Sequence, residues 1–122
     1  MIATYLGGEV PGTRIVMTAG SGGVTAGNAV VVRSGATGMV GIALTTAAAG
    51  ETYTVAITGR WRVAKNTTTG AGVLSIGDVA YLDIADDNFS TQASANIKAG
   101  IASAAAAATD TTLDLLLIPS KA

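Results

Sequence analysis

Polar and apolar residues alternate along much of this chain at a period of two. The run Glu51-Thr52-Tyr53-Thr54-Val55-Ala56-Ile57-Thr58 does so for eight residues, which predicts a half-buried β-strand. Arg14–Thr18 and Ala29–Arg33 are shorter, rich in β-branched side chains and bounded by glycine, as strands commonly are. Thr112–Ile118 predicts a further strand. It stops at Pro119, whose missing amide suits a strand end better than a central position. Turn clusters separate these runs: Gly7-Gly8, Pro11-Gly12, Gly20–Gly23, Gly35-Ala36-Thr37-Gly38 and Thr67–Gly70. Strands spaced in this way predict an all-β fold, a small β-sandwich or β-barrel.

The alanine-rich segment Ala102–Ala108 is the exception to the strand pattern. Alanine is the best helix former, so propensity alone favours a short helix there. The segment follows Gly100, precedes the turn pair Thr109-Asp110 and has no polar and apolar faces. A strand running into a loop is the preferred reading.

The order of motifs also suggests an internal duplication. Val24–Val32 aligns with Leu74–Leu82, Val40–Ala43 with Ala99–Ala102, and Thr54–Ile57 with Asp114–Leu117. In the first pair each copy has an apolar residue, a turn glycine, then Asn or Asp opening a strand. The second copy carries a longer excursion, Asp83–Lys98, where the first has only Arg33–Met39. The expectation is two similar three-stranded units joined through Arg60–Val73. They form one β domain over residues 14–122, with residues 1–13 ahead of it.

Composition narrows the function. The chain has 122 residues, 49% of them hydrophobic but mostly small, with 16 glycines and 12% charged residues. That is enough for one domain with a modest core. The net charge of −1 gives no basic stripe for nucleic acid; only Arg60, Arg62 and Lys65 lie close together. There is no cysteine and no histidine. Disulfides, thiolate metal sites and the commonest general base are therefore excluded. No secretory signal and no apolar stretch of about 20 residues is visible, so a soluble protein made in a cytoplasm is expected.

Catalytic constellations are missing. The nearest approach to a phosphate-binding loop, Gly22–Gly27, is followed by Asn28 where lysine would be needed. Asp83, Asp86 and Asp87, with Asn88, form the densest acidic group. They lack calcium-loop spacing and read as a solvated turn. Neither an enzymatic activity nor a cofactor is expected. Arg60-Trp61-Arg62 is more informative: on a strand, Trp61 faces one way and both arginines the other. Trp61 then either anchors the core or joins an interface, where Trp and Arg are enriched.

The chain resembles a family of short phage and prophage proteins that includes capsid cement proteins; some members carry a legacy label as RecA/RadA-type recombinases. The resemblance runs from about Gly8 to Ile118. It rests on Gly27-Asn28, Val40-Gly41-Ile42-Ala43, Ala49-Gly50-Glu51 and Val55–Gly59, then on Ile76–Tyr81, Ala99–Ala102 and Leu113–Ile118. Arg60 replaces the usual apolar or small residue after Gly59, and Leu82 stands where Trp is frequent. The recombinase label finds no support, since the ATP-binding motif is absent.

The resemblance implies a capsid decoration (cement) protein, bound to the major capsid protein on the outer surface of a tailed-phage head. It also implies a homo-oligomer, often a trimer, and an extended N-terminal arm, which residues 1–13 would supply; that segment could equally be an edge strand pairing with a neighbour, or a frayed terminus. Charge and hydropathy point to no nucleic-acid and no membrane partner. The interface is expected to include Trp61, Arg60 and Arg62, together with Tyr5, Leu6 and Glu9 of the arm. The alternatives are another virion part, such as a head fibre base or tail component, or a carbohydrate-binding module. The last usually needs several exposed aromatics, and one Trp, three Tyr and one Phe are all this chain has.

Overall fold

A computed structural model describes residues 1–10, 12–34, 38–94 and 96–119. Pro11 and the turn over residues 35–37 lie outside the described residues. Ten strands and no helix occur among those described: β1 Thr4–Gly7, β2 Ile15–Thr18, β3 Ala29–Arg33, β4 Met39–Ala43, β5 Thr52–Ala56, β6 Gly59–Ala64, β7 Val79–Asp83, β8 Asn88–Ser90, β9 Ile97–Ala102 and β10 Thr112–Leu117. They form a six-stranded sheet in the order β1-β6-β10-β9-β7-β8 and a four-stranded sheet in the order β2-β5-β4-β3. The fold is all-β and sandwich-like, as the alternation predicts.

The duplication is visible in the hydrogen bonds. In the first copy the Gly27 amide donates to the Ala43 carbonyl (2.7 Å) and the Ala43 amide to the Asn28 carbonyl (2.9 Å). In the second, Gly77 donates to Ala102 (2.9 Å) and Ala102 to Asp78 (2.9 Å). Asn28 Oδ1 accepts from the Thr25 amide, and Asp78 Oδ2 from the Ser75 amide. Glu51 and Asp110 do the same for the amides of Ala48 and Ala107. The bridge Val24–Ala47 is matched by Leu74–Ala106. These short polar side chains bond the nearby backbone and fix each turn locally, which is why the repeat survives in the sequence.

Each unit has four strands rather than three. The segment Arg60–Val73 is not merely a connector, because Gly59–Ala64 forms β6 beside β10 as β2 forms beside β5. The registers Ile15↔Val55 and Trp61↔Leu115 make Ile15 and Trp61 equivalents. Around the second unit lie two additions, β1 on the outer edge of β6 and β8 on that of β7. The alanine segment leaves β9 at Ala102 and runs as loop, with Ala106 paired to Leu74 and Asp110 holding the Ala107 amide. Those tertiary partners outweigh the propensity of alanine for helix.

The main core lies between the units. Trp61, Val63, Leu74, Ala80, Leu82, Leu113, Leu115 and Leu117 of the second unit pack with Ala3, Val40, Ile42 and Ala56 from the first part of the chain. A second, smaller cluster sits on the opposite face of the first unit's sheet, around Ala43, Tyr53 and Val55.

Candidate functional site: the β1–β6 edge and its surroundings

Residues singled out from the sequence meet at the edge of the six-stranded sheet. Gly59 opens β6 with φ of +102°, in the left-handed region that glycine tolerates. The strand then alternates: Arg60 and Arg62 are exposed, while Trp61 is 4% exposed and Val63 is buried. Trp61 belongs to the chain's own core, and its indole N–H donates to the Thr58 carbonyl at 3.1 Å.

Strand β1 lies antiparallel to β6, with Thr4 opposite Arg62, Tyr5 opposite Trp61 and Gly7 opposite Arg60. The Tyr5 ring sits 4.9 Å from the Trp61 ring at a tilt of 53°, a favourable aromatic geometry. Tyr5 is half exposed and covers the indole from solvent; its hydroxyl accepts the Glu9 amide at 3.2 Å. Leu6 is partly buried. The Ala3 amide donates to the Gly27 carbonyl at 2.8 Å, which ties this segment to the first unit as well.

Two ion pairs flank the edge. Glu9 binds the Arg14 guanidinium through both oxygens, at 2.9 Å (Nη2–Oε1) and 3.1 Å (Nε–Oε2). Arg62 reaches across to Asp114, its register partner on β10, at 2.9 Å. Hydrogen bonding to the carboxylate first, and its charge second, raise the pKa of Arg14 and of Arg62 above the ordinary value. Both guanidiniums are solvent-exposed, so these pairs orient side chains more than they stabilise the fold. Ile2, Ala3, Tyr5, Glu9, Arg14 and Trp61 border an open cleft of about 350 Å³ between the two units. The edge thus gathers Trp61, Tyr5, Leu6, Glu9, Arg60 and Arg62, with the indole turned inward and the two arginines outward.

The acidic residues form a turn. Asp83 and Asn88 pair at the base of the β7–β8 hairpin, Asp83 Oδ1 accepts the Asp86 amide, and Asp87 takes a φ of +52°. Among the described residues no three potential metal-ligating side chains come together.

Sequence reasoning did not single out Lys65 as special, although it is 4% exposed. Its ammonium donates to the carbonyls of Asn66 and Gly72, both at 2.6 Å, with the Ala108 carbonyl at 3.5 Å. Burial lowers its pKa, against an opposing pull from Asp110. The available signal was the length of the loop: residues 66–73 exceed the equivalent turn after Ala19, and the lysine fills the space that this longer loop encloses.

A duplicated all-β domain with open sheet edges and exposed apolar residues (Tyr5, Val10, Val16, Val73 and Ile76 among them) is the build of a structural module. The chain belongs to the phage cement protein family, whose sequence model matches residues 10–117. That family is structural and its members are capsid components of bacteriophages. No curated protein and no solved structure matches the chain.

Proposed function

We propose that this protein is a capsid decoration protein that binds the outer surface of a tailed-phage head and stabilises the shell through the major capsid protein. The observation that carries this reading is the family match across residues 10–117, nearly the whole β domain. The geometry supports it. The exposed side chains of the β1–β6 edge are two arginines, half-exposed Tyr5 and short polar groups, a combination suited to a protein surface. Arg60 and Arg62, on one side of the edge, are the shell-facing residues, while Tyr5 and Glu9, on the side of Trp61, brace the strand pair from the other. The protein works without cofactor or catalytic step and acts as a homo-oligomer.

Quantitative mass spectrometry of purified virions tests the role. A copy number comparable to that of the major shell protein is the expected result. A few copies per particle would move the protein to a vertex or tail, and absence would overturn the reading. Immunogold labelling of intact heads tests the location, because an antibody is too large to pass the shell and reaches only an outer protein.

A further inference from the structure

The outer face of the six-stranded sheet carries an ordered set of side chains beyond the two arginines of β6. Strand registers align Arg60 with Leu116, Leu116 with Ile101 and Ile101 with Val79, so one row crosses β6, β10, β9 and β7. At the usual strand spacing that row is about 14 Å long. Arg60 and Val79 are exposed, and Leu116 and Ile101 are partly buried. Lys98 joins the same face through a β-bulge. The β7–β9 register slips between Ala80 and Tyr81, whose partners are Gly100 and Lys98. The extra residue, Ala99, turns into the core, and Lys98 is aimed outward beside Tyr81. Strict alternation from Ile101 would have pointed the lysine inward.

The face is positive in a chain whose net charge is −1, with Arg60, Arg62 and Lys98 against Asp83 and Asp114. Arg60 and Lys98 are also the basic side chains without a hydrogen bond or ion pair among the described residues. Arg14, Arg33, Arg62 and Lys65 each have a partner within the chain. The carboxylates are in the reverse condition. All but Asp86 already bond a cation or a turn amide of their own chain. A second copy therefore has little to offer the two free cations, whereas a different protein with carboxylates of its own fits them.

We propose that this face, the row Arg60–Leu116–Ile101–Val79 with Lys98 and Tyr81 beside it, is the contact surface for an acidic patch of the shell protein. The two free cations flank an apolar strip. The complementary surface therefore sets carboxylates opposite Arg60 and Lys98, and apolar side chains opposite Leu116, Ile101 and Val79. The strip supplies affinity, and the cations fix register and speed association. The inference rests on the shell-binding role put forward above and extends its contact from the β6 arginines across four strands.

Co-sedimentation of the full chain with undecorated heads, at low and at raised salt, tests it. Lys98→Glu is expected to weaken binding about tenfold or more by setting like charges together, while Lys98→Arg keeps the wild-type affinity. Val79→Asp weakens it to a similar degree. Val16→Glu, exposed on β2 of the other sheet, leaves binding unchanged. Raised salt lowers the wild-type affinity and lowers that of Lys98→Glu less steeply. Unchanged urea midpoints are required of every variant, and the exposed Lys98→Glu carries the test if Val79→Asp unfolds. Binding of Lys98→Glu and Val79→Asp as tight as wild type would overturn this inference alone and leave the shell role standing. Heads that take up no wild-type protein would remove the shell role, and the inference with it. An oligomer in solution that Lys98→Glu dissociates, with head binding intact, would assign the face to a second copy and overturn the inference too.

Discussion

Gly41 and Gly100 occupy equivalent positions on the central strands β4 and β9, and each lies against the carbonyl of an equivalent residue, Ala56 in one unit and Leu116 in the other. A Cβ on Gly100 would overlap the Leu116 carbonyl, while one on Gly41 would sit 2.9 Å from the Ala56 oxygen and overlap the Val55 side chain. Neither glycine is needed for its φ; both are needed for close approach of backbone.

Gly100→Ala is accordingly expected to destabilise the domain by about 3 kcal/mol, because backbone must move to admit the methyl group. Gly41→Ala is expected to cost less, about 2 kcal/mol, since one of its neighbours is a side chain that can turn. Gly50, with φ of +83° and open space around it, provides the contrast. Alanine there is expected to cost about 1 kcal/mol from backbone conformation alone. Urea unfolding midpoints rank the three, and a Gly100→Ala protein as stable as Gly50→Ala would disprove the close-approach argument.

Lys65 supplies a pH dependence of known sign. Its pKa is lowered by burial from the ordinary 10.5, so between the two values the unfolded chain holds more protons than the folded one. Stability contributed by Lys65 therefore rises with pH through that window and is flat on either side of it. Lys65→Met leaves the carbonyls of Asn66 and Gly72 without their donor and is expected to cost about 2 kcal/mol near neutral pH. The gap between wild type and Lys65→Met should widen as the pH of the urea titration is raised from about 7.5 to about 10. A gap that narrowed would show that the carbonyl cage, and not burial, dominates.

Trp61→Ala removes a side chain buried within the chain's own core and is expected to cost about 3–5 kcal/mol of stability. Loss of head binding by that variant would then reflect loss of fold. The outward residues of the same strand separate the two effects: Arg60→Ala and Arg62→Ala should leave the urea midpoint nearly unchanged while weakening binding to undecorated heads. Normal binding by the arginine double variant would remove the β6 edge from the shell-facing patch.

What the sequence disclosed was the local chemistry. The strand predicted over Ala29–Arg33 has those bounds in the structure, and the turn pairs Gly27-Asn28 and Gly77-Asp78 exposed the repeat, because each is fixed by bonds to residues within a few positions. Pairings between distant segments were not legible. β1 is only four residues long and meets β6 some 55 positions away. β6 read as part of a connector because its alternation is short and carries two arginines, and β8 was hidden inside the excursion Asp83–Lys98. The unequal burial of the two repeats was beyond reach as well: Val30 and Ala80 look alike as core residues, and only the stacking of one unit on the other separates them.

The first residues of the chain give the last prediction. Thr4–Gly7 pairs with the chain's own β6, Ala3 is buried and bonded to Gly27, and Tyr5 stacks on Trp61. If that strand belongs to the fold, removing residues 1–7 uncovers the backbone of Arg60 and Arg62 and one face of the indole. The truncated protein should then unfold at lower urea and become sensitive to proteases within β6. Tyr5→Ala, which keeps the backbone pairing, is expected to lose about 1 kcal/mol. A free arm predicts the opposite: unchanged urea midpoints for both proteins, with rapid proteolysis confined to the first residues of the intact chain. The first outcome makes β1 part of the rigid platform beneath the arginines. The second would return the segment to the role of an extended tether and shift the search for the shell contact toward residues 1–13.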